Sequence, residues 1–411
     1  MNRRFRTIRA LELLLALGAC PGLSAAVAGP PAAADAAPSK DGQGLLSLGT
    51  SLTDRGDYQS AEIAYRQILD RPGYSLAEQQ SALMGLGRTC RKAGEATKAA
   101  AIYEKFVKEF PNDERVPDAL LELGRTLRAM GANKMALNRF YSVINTTLKL
   151  PQKGFEHYQS LARTAEYEIA ETYFETGDFA LAQKYFSRLQ LLDLSTADRA
   201  RASFMAAHSQ ILAGDFEAGA RSLRAYLETW PDDENVPEAR YLLASTLRKL
   251  KRPQEALAVV LELLRNEKSV DIAEPQTWAY WQRRTGNLLA NDFFQSGDAV
   301  SALAIYKSMT NLGTEPEWQL PVLYQVALCH ERLYEFKEAS DVYNKIVEAG
   351  AKPGLAPDIA ELAQMATWRL NHIEWLQSTD TKLASFLNAS DRPSHAPAKA
   401  AAEPAAPAAK Q

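Results

Sequence analysis

The sequence predicts an all-α chain: a stack of repeated helical hairpins closed by one C-terminal helix. Three observations carry that prediction. Between residues 42 and 378, apolar residues recur at intervals of three and four, the period of a helix face, and no strand-like alternation is sustained. One skeleton of small and large apolar positions recurs eight times in that region. A 21-residue phrase is also written twice: FPNDERVPDALLELGRTLRAM from Phe110 and WPDDENVPEARYLLASTLRKL from Trp230 agree at ten positions, 120 residues apart.

At the N-terminus, Arg3, Arg4, Arg6 and Arg9 precede the apolar run LLLALGA and the small-residue site AVA at Ala26–Ala28. That order reads as a signal peptide over residues 1–28, with Glu12 out of place at the edge of its apolar core. Two readings of Cys20 stand. LGAC is a lipobox that makes Cys20 the lipidated N-terminus, or the chain is cleaved after Ala28 and Cys20 is discarded. Residues 29–41 (GPPAAADAAPSKD) and 379–411 are expected to be a disordered tether and tail; the Ala/Pro composition, heaviest from residue 389, cannot form a core.

The repeat begins at Leu48 and recurs from Leu86, Leu123, Ile169, Ala206, Leu243, Leu289 and Val326, with spacings of 38, 37, 46, 37, 37, 46 and 37. The residue after each start is Gly49, Gly87, Gly124, Ala170, Ala207, Ala244, Ala290 or Ala327. The matching second-helix position is Ala61, Ala99, Ala136, Ala182, Gly219, Ala256, Ala302 or Ala339. Small side chains let two helices approach, and Tyr65, Tyr103, Phe140, Phe186, Leu223, Val260, Tyr306 and Tyr343 supply the bulk that fills the seam. The turns carry Gly56, Gly94, Gly131, Gly177, Gly214 and Gly297, as a left-handed helix end requires. Lys251 and Tyr334 replace glycine in two turns, which are therefore expected to differ in shape.

Two short steps and one long step recur as a unit. Pro117, Pro237 and Pro357 lie 120 residues apart, each followed by an acid, and suit the first turn of a helix. Three blocks follow, 42–162, 163–282 and 283–378, the last ending in a lone capping helix near 357–377 that bears Trp368 and Trp375. The long steps, TLKLPQKGFEHYQSLAR and NEKSVDIAEPQTWAYWQRR, are expected to lengthen a helix or loop once per block, either making contact points or altering only the curvature.

From Ser81 to Asp113, Leu86, Gly87, Gly94, Ala99, Tyr103 and Pro111 fall on one known pattern. The chain resembles the tetratricopeptide repeat, although the early Trp is missing and the spacings exceed the minimal repeat. The resemblance implies a right-handed α-solenoid of about eight hairpins plus the capping helix. It also implies a concave groove lined by the second, fifth, ninth and twelfth positions of each first helix. Carried over, these are Arg88, Arg91, Arg125 and Arg128, a basic start, then Tyr167, Phe174, Phe204, His208, Tyr241 and Arg248. Arg and Tyr anchor protein partners, whereas the bland reading leaves the arginines solvated and the rings packed between helices. The family's Lys/Asn carboxylate clamp is missing as a set.

Composition excludes other classes. A formal net charge of −3 provides no basic field for nucleic acid. No phosphate loop, dinucleotide fingerprint, zinc motif, calcium loop or nucleophile elbow occurs, and the five His are scattered without metal-ligand spacing. Cys90 and Cys329 are expected to be unpaired, and Cys329-His330 finds no catalytic partner. The expectation is a non-enzyme without cofactor or metal. Hairpins ending in FPND or WPDD are similar to those of bacterial outer-membrane-assembly lipoproteins and periplasmic cell-division coordinators. That similarity implies an exported scaffold at the periplasm or the outer membrane's periplasmic face, binding protein or extended peptide and touching membrane only through a lipid anchor. The alternative is a structural or secretion-apparatus component that self-assembles, or docks on an outer-membrane complex, through its Trp-rich C-terminal end.

Overall fold

The computed structural model describes residues 39–148, 155–265, 275–352 and 356–390. Among them every regular element is helical. The chain divides into two compact units, residues 1–111 and 112–411. The expected signal peptide 1–28 with Cys20, residues 29–38 of the tether and residues 391–411 of the tail lie outside the described residues.

The first unit holds two hairpins, α1 (Lys40–Arg55) with α2 (Tyr58–Asp70) and α3 (Leu76–Lys92) with α4 (Ala96–Glu109). Helix α1 starts at Lys40, so the tether is two residues shorter than expected. The reason is the cap: the Ser39 hydroxyl accepts from the Gly42 N–H at 2.8 Å. Ser39 also donates through its N–H to Glu78 Oε1 at 2.9 Å. Glu78 in turn closes a capping box with Ser75 at the start of α3. Burial opposes the charge of this carboxylate, but the hydrogen bonds from Ser75 and Ser39 outweigh it and hold Glu78 below the usual range. Tyr65 shows how the seam packs. A Cβ at Gly49 or Gly85 would lie 2.7 Å or 2.5 Å from its ring, so two glycines from α1 and α3 form the slot that receives it.

The second unit continues the pattern with six hairpins and a single helix. The pairs are α5 (Val116–Ala129) with α6 (Asn133–Thr147), α7 (Phe155–Glu175) with α8 (Phe179–Leu189), and α9 (Thr196–Leu212) with α10 (Phe216–Thr229). They continue with α11 (Val236–Lys249) and α12 (Pro253–Arg265), α13 (Pro275–Gln295) and α14 (Ala299–Met309), and α15 (Pro316–Arg332) and α16 (Phe336–Gly350); α17 (Pro357–Ser390) closes the unit. Its core is distributed along the stack. One cluster joins Ala182, Phe186 and Leu189 to Ala202 and Ala206; the next joins Phe204, Leu223 and Tyr226 to Leu243 and Leu263. Each hairpin therefore buries its apolar face on its neighbours, the construction of an α-solenoid.

All sixteen small positions of the repeat are buried, and so are the eight large ones. That result fixes the register, because a slip by one residue would carry these side chains round to solvent. Pro117 and Pro237 stand in the first turns of α5 and α11, and Pro357 begins α17. Asp57, Asp178, Asp215 and Asp298 cap the helices that follow their turns, each accepting from the backbone three residues on.

The turns at Lys251 and Tyr334 correct an expectation. They keep the same kind of left-handed turn, with a smaller φ than the glycine turns. Lys251 has φ 59° and Tyr334 φ 60°, in the left-handed region shared by the six turn glycines. The closing bond is the same too: Arg252 N–H to Leu247 C=O at 2.9 Å and Glu335 N–H to His330 C=O at 2.9 Å match Ala132 N–H to Leu127 C=O at 2.9 Å. Left-handed backbone costs a residue with a Cβ about 1–2 kcal/mol. The closing hydrogen bonds and the packing of the next helix outweigh that strain.

The long steps lengthen a helix, as expected. Helices α7 and α13 have 21 residues each, against 14 to 17 for the other first helices. Residues 149–154 and 266–274 of these steps lie outside the described residues. A second correction concerns α17, which runs to Ser390 and takes in residues 379–390 of the expected disordered tail. LQSTDTKLASFLNAS contains no Pro or Gly to stop a helix, and the tail's next Pro is Pro393.

Candidate protein-interaction surface

The ten groove residues divide between the units. In the first, Arg88 is exposed on α3, with its guanidinium 4.0 Å from Asp54; Arg91 is exposed one turn on. Lys92 lies closer to Asp54, at 2.8 Å, and that hydrogen bond holds the carboxyl below its ordinary range.

In the second unit, Arg125 and Arg128 are bound to carboxylates of α7. Glu168, whose side chain is 7% exposed, lies 2.5 Å from Arg125 Nε and 2.8 Å from Arg128. Arg128 also reaches Glu171 at 3.1 Å, and Glu171 reaches Arg201 of α9 at 3.2 Å. The positive charge foreseen at this end is thus matched inside the unit. Arg201 covers the Tyr167 ring at 5.1 Å, and burial, then Glu171, pushes the Tyr167 hydroxyl well above its ordinary pKa. Arg125, Tyr167, Glu168, Glu171 and Arg201 line a polar cavity of about 540 Å³ with residues of the N-terminal half of α7, the Asp193–Ser195 loop and the start of α9.

Phe174, His208 and Phe204 form a ladder of rings, with centroids 5.3 Å and 5.9 Å apart. Phe204 itself is buried and leans on Tyr226 at 5.6 Å, so it packs between helices. Burial lowers the pKa of His208, favouring its neutral form.

Tyr241 and Arg248 line one depression of about 370 Å³ together with Leu288 and Asp292. Arg248 Nε lies 2.5 Å from Asp292, and its guanidinium covers the Phe293 ring at 4.3 Å. Tyr241 leans on Trp281 at 5.3 Å, and Trp281 meets Tyr280 edge-on at 5.3 Å. Arg284 stands over all three rings at 5.7–5.9 Å and donates to the Tyr280 hydroxyl. Among the described residues no carboxylate lies within 4.0 Å of Arg284, but Glu238 of α11 faces it in charge: burial raises the Glu238 pKa and Arg284 opposes that rise. Tyr280, Arg284 and Leu288 are exposed. Trp281 and Arg284 were not among the groove positions, because the lengthened α13 has no counterpart in the minimal repeat. The signal was the insertion itself, NEKSVDIAEPQTWAYWQRR, which the sequence left open between a contact point and a change of curvature alone.

Other chemistry is occupied. Glu62, Cys90 and Glu95 converge, but the Lys98 ammonium sits 2.7 Å from Glu62 and 3.1 Å from Glu95 and supplies the cation. Cys90 and Cys329 are unpaired and buried, and burial pushes their thiols up to about 11 and about 12. His330 turns to Glu335 at 2.5 Å. No helix among the described residues is long and apolar enough to cross a membrane.

Antiparallel hairpins stacked through small residues, with aromatic and guanidinium groups on the first helices, define a helical-repeat scaffold. Residues 46–114, 167–234 and 204–269 match the family model described as tetratricopeptide repeat, so the chain carries tetratricopeptide repeats over these segments. No curated protein matches the sequence. Similar solved structures include a tetratricopeptide repeat protein from Parabacteroides merdae (15% identity, 71% of this chain and 99% of that one, TM-score 0.43). MamA from Desulfovibrio magneticus is another (16% identity, 47% and 97%, TM-score 0.38), as is an assembly chaperone of RpL4 (18%, 62% and 99%, TM-score 0.38). At these TM-scores nothing about function follows from the likenesses.

Proposed function

We propose that the chain is an exported scaffold of the bacterial cell envelope that binds protein or extended-peptide partners on the first-helix face of its second unit. A tetratricopeptide-repeat protein is a protein-interaction scaffold in general terms. The observation that carries the particular reading is the patch of Tyr241, Tyr280, Trp281 and Arg284. Trp, Tyr and Arg are the residue types that dominate binding energy at protein interfaces, and here they lie clustered and partly exposed. A guanidinium held by three rings favours a segment that brings a carboxylate and an apolar or planar group together. The polar cavity beside Tyr167 is self-neutralised and contributes selectivity rather than charge.

Export rests on the N-terminal 28 residues, and lipid anchoring on Cys20. Mass determination of the N-terminus in the native host decides both: a mass starting at residue 29 or at acylated Cys20 supports export, and retained residues 1–19 reject it. For binding, the chain is compared with a Tyr241→Ala/Trp281→Ala/Arg284→Ala variant in pulldowns from envelope extract. The patch predicts partners lost selectively from the variant; equal recovery of every partner rejects it.

A further inference from the structure

Helix α17 is the last element of the second unit, and its two long faces have different fates. Ile359, Ala366 and Ile373 are buried against α15 and α16, with Leu362 and Leu370 packed beside them. The opposite face carries a second stripe. Met365, Trp368, His372, Trp375, Thr379 and Lys382 follow one another at intervals of three and four, the seam spacing of a coiled coil. Trp368, His372 and Trp375 form a stacked column, with centroids 5.5 Å and 5.9 Å apart and planes 4° and 17° from parallel. Past Leu376 every described residue to Leu387 is exposed. The helix thus extends for several turns without a supporting face, a length that is marginal in water unless something packs on it.

We propose that this stripe is a dimer interface, and that its occupant is α17 of a second copy of the chain, running antiparallel. Two observations select that occupant. The first is area. Met365, Trp368 and Trp375 on the stripe, and Leu383 flanking its Lys382 end, are 44%, 60%, 59% and 55% exposed. With about 250 Å² for a free Trp and about 180 Å² for Met or Leu, they offer about 480 Å² per copy. Two copies supply about 950 Å² of apolar surface, which is the apolar share of a standard interface of about 1,600 Å².

The second is charge. The stripe begins with Asp358 and Glu361 and ends with Lys382, all exposed. Parallel pairing would set acid on acid and Lys382 on Lys382. Antiparallel pairing brings each copy's Lys382 to the other's acidic end and opposes the two helix dipoles. With the two-fold axis near Leu370, Met365 of one copy layers on Trp375 of the other, and Trp368 on His372. The contact is isologous and closes at two copies. It takes up the self-assembly expected from the Trp-rich end and is independent of the partner patch on α11 and α13.

The test is sedimentation equilibrium of the full chain beside three variants. The expected result is a reversible dimer with Kd in the micromolar range, about 1–50 µM. Trp368→Ser/Trp375→Ser weakens it at least tenfold with an unchanged circular dichroism spectrum, since both rings face solvent in the monomer. Lys382→Glu alone weakens it severalfold, and Lys382→Glu combined with Asp358→Lys and Glu361→Lys restores it. A monomer at about 100 µM, a dimer indifferent to the tryptophan variant, or no rescue by the charge exchange overturns the proposal. So does Trp-dependent flotation of the chain with lipid vesicles, which would make the stripe a membrane contact.

Discussion

Replacing glycine by alanine at two helical positions should change stability in opposite directions. At Gly44 in α1, a Cβ meets nothing within 4 Å. Alanine there removes backbone freedom from the unfolded chain and stabilises by about 0.5–1 kcal/mol. At Gly124 in α5, the added Cβ would lie 2.4 Å from Phe140 Cε1 and 2.7 Å from Cδ1. Carbon contact requires about 3.5–4.0 Å, so the ring must retreat by more than about 1 Å, and Phe140 is fully buried. Overpacking of this kind costs about 1–3 kcal/mol. After the propensity gain of about 0.5–1 kcal/mol, Gly124→Ala destabilises by up to about 2.5 kcal/mol. A repeat stack need not unfold in one step, so hydrogen exchange read helix by helix is the suitable assay, with urea melts beside it. Protection should rise in α1 for Gly44→Ala and fall in α5 and α6 for Gly124→Ala. Adding Phe140→Leu to Gly124→Ala should recover part of the loss, because the pair share one contact. Stabilisation by both single substitutions would refute the idea that small residues seat the rings.

Other perturbations test other parts of the molecule. Lys251→Gly relieves left-handed backbone at an exposed turn and should stabilise by up to about 1.5 kcal/mol, the strain recovered less the entropy of glycine; a loss in urea midpoint would contradict the shared turn geometry. Glu168→Gln leaves Arg125 and Arg128 without their common carboxylate and should destabilise by about 1–3 kcal/mol, seen as lost exchange protection in α5 and α7. Burial depresses the pKa of His208, so below pH 6.5 the unfolded chain binds a proton that the folded chain refuses. Stability should therefore fall as pH drops from 6.5, and His208→Leu should flatten that part of the profile in thermal melts. Cys90 and Cys329, with thiols pushed up to about 11 and about 12, should resist a thiol reagent at pH 8 in the folded chain and react on unfolding. Rapid labelling of either in the folded chain would show that its helix seam opens.

The hairpins were legible because their seams need small residues at fixed spacing. Nothing else in the sequence explains Gly or Ala at sixteen matched positions, and all sixteen are buried. Turn shape was misread at Lys251 and Tyr334 because residue preference there is overruled by hydrogen bonds to Leu247 and His330 that sequence does not display. The end of α17 was misread because residues 379–390 lack an apolar period facing the stack, which is the mark of a supported helix. The surface was half legible. Tyr241 and Arg248, placed on one face by the repeat, do line one depression together. Glu168 and Glu171 were missed because each is the partner of an arginine 43 residues away, a pairing that only the stacking of α5 on α7 reveals.

The most direct test of the scaffold reading is site-specific photo-crosslinking in the native host. A photoreactive side chain at Tyr280, on the exposed first-helix patch, should capture a defined protein partner, and one at Met135, exposed on the second helix α6, should not. Capture at Tyr280 that disappears with Arg284→Ala is the predicted result; equal capture at both positions, or at neither, would contradict it.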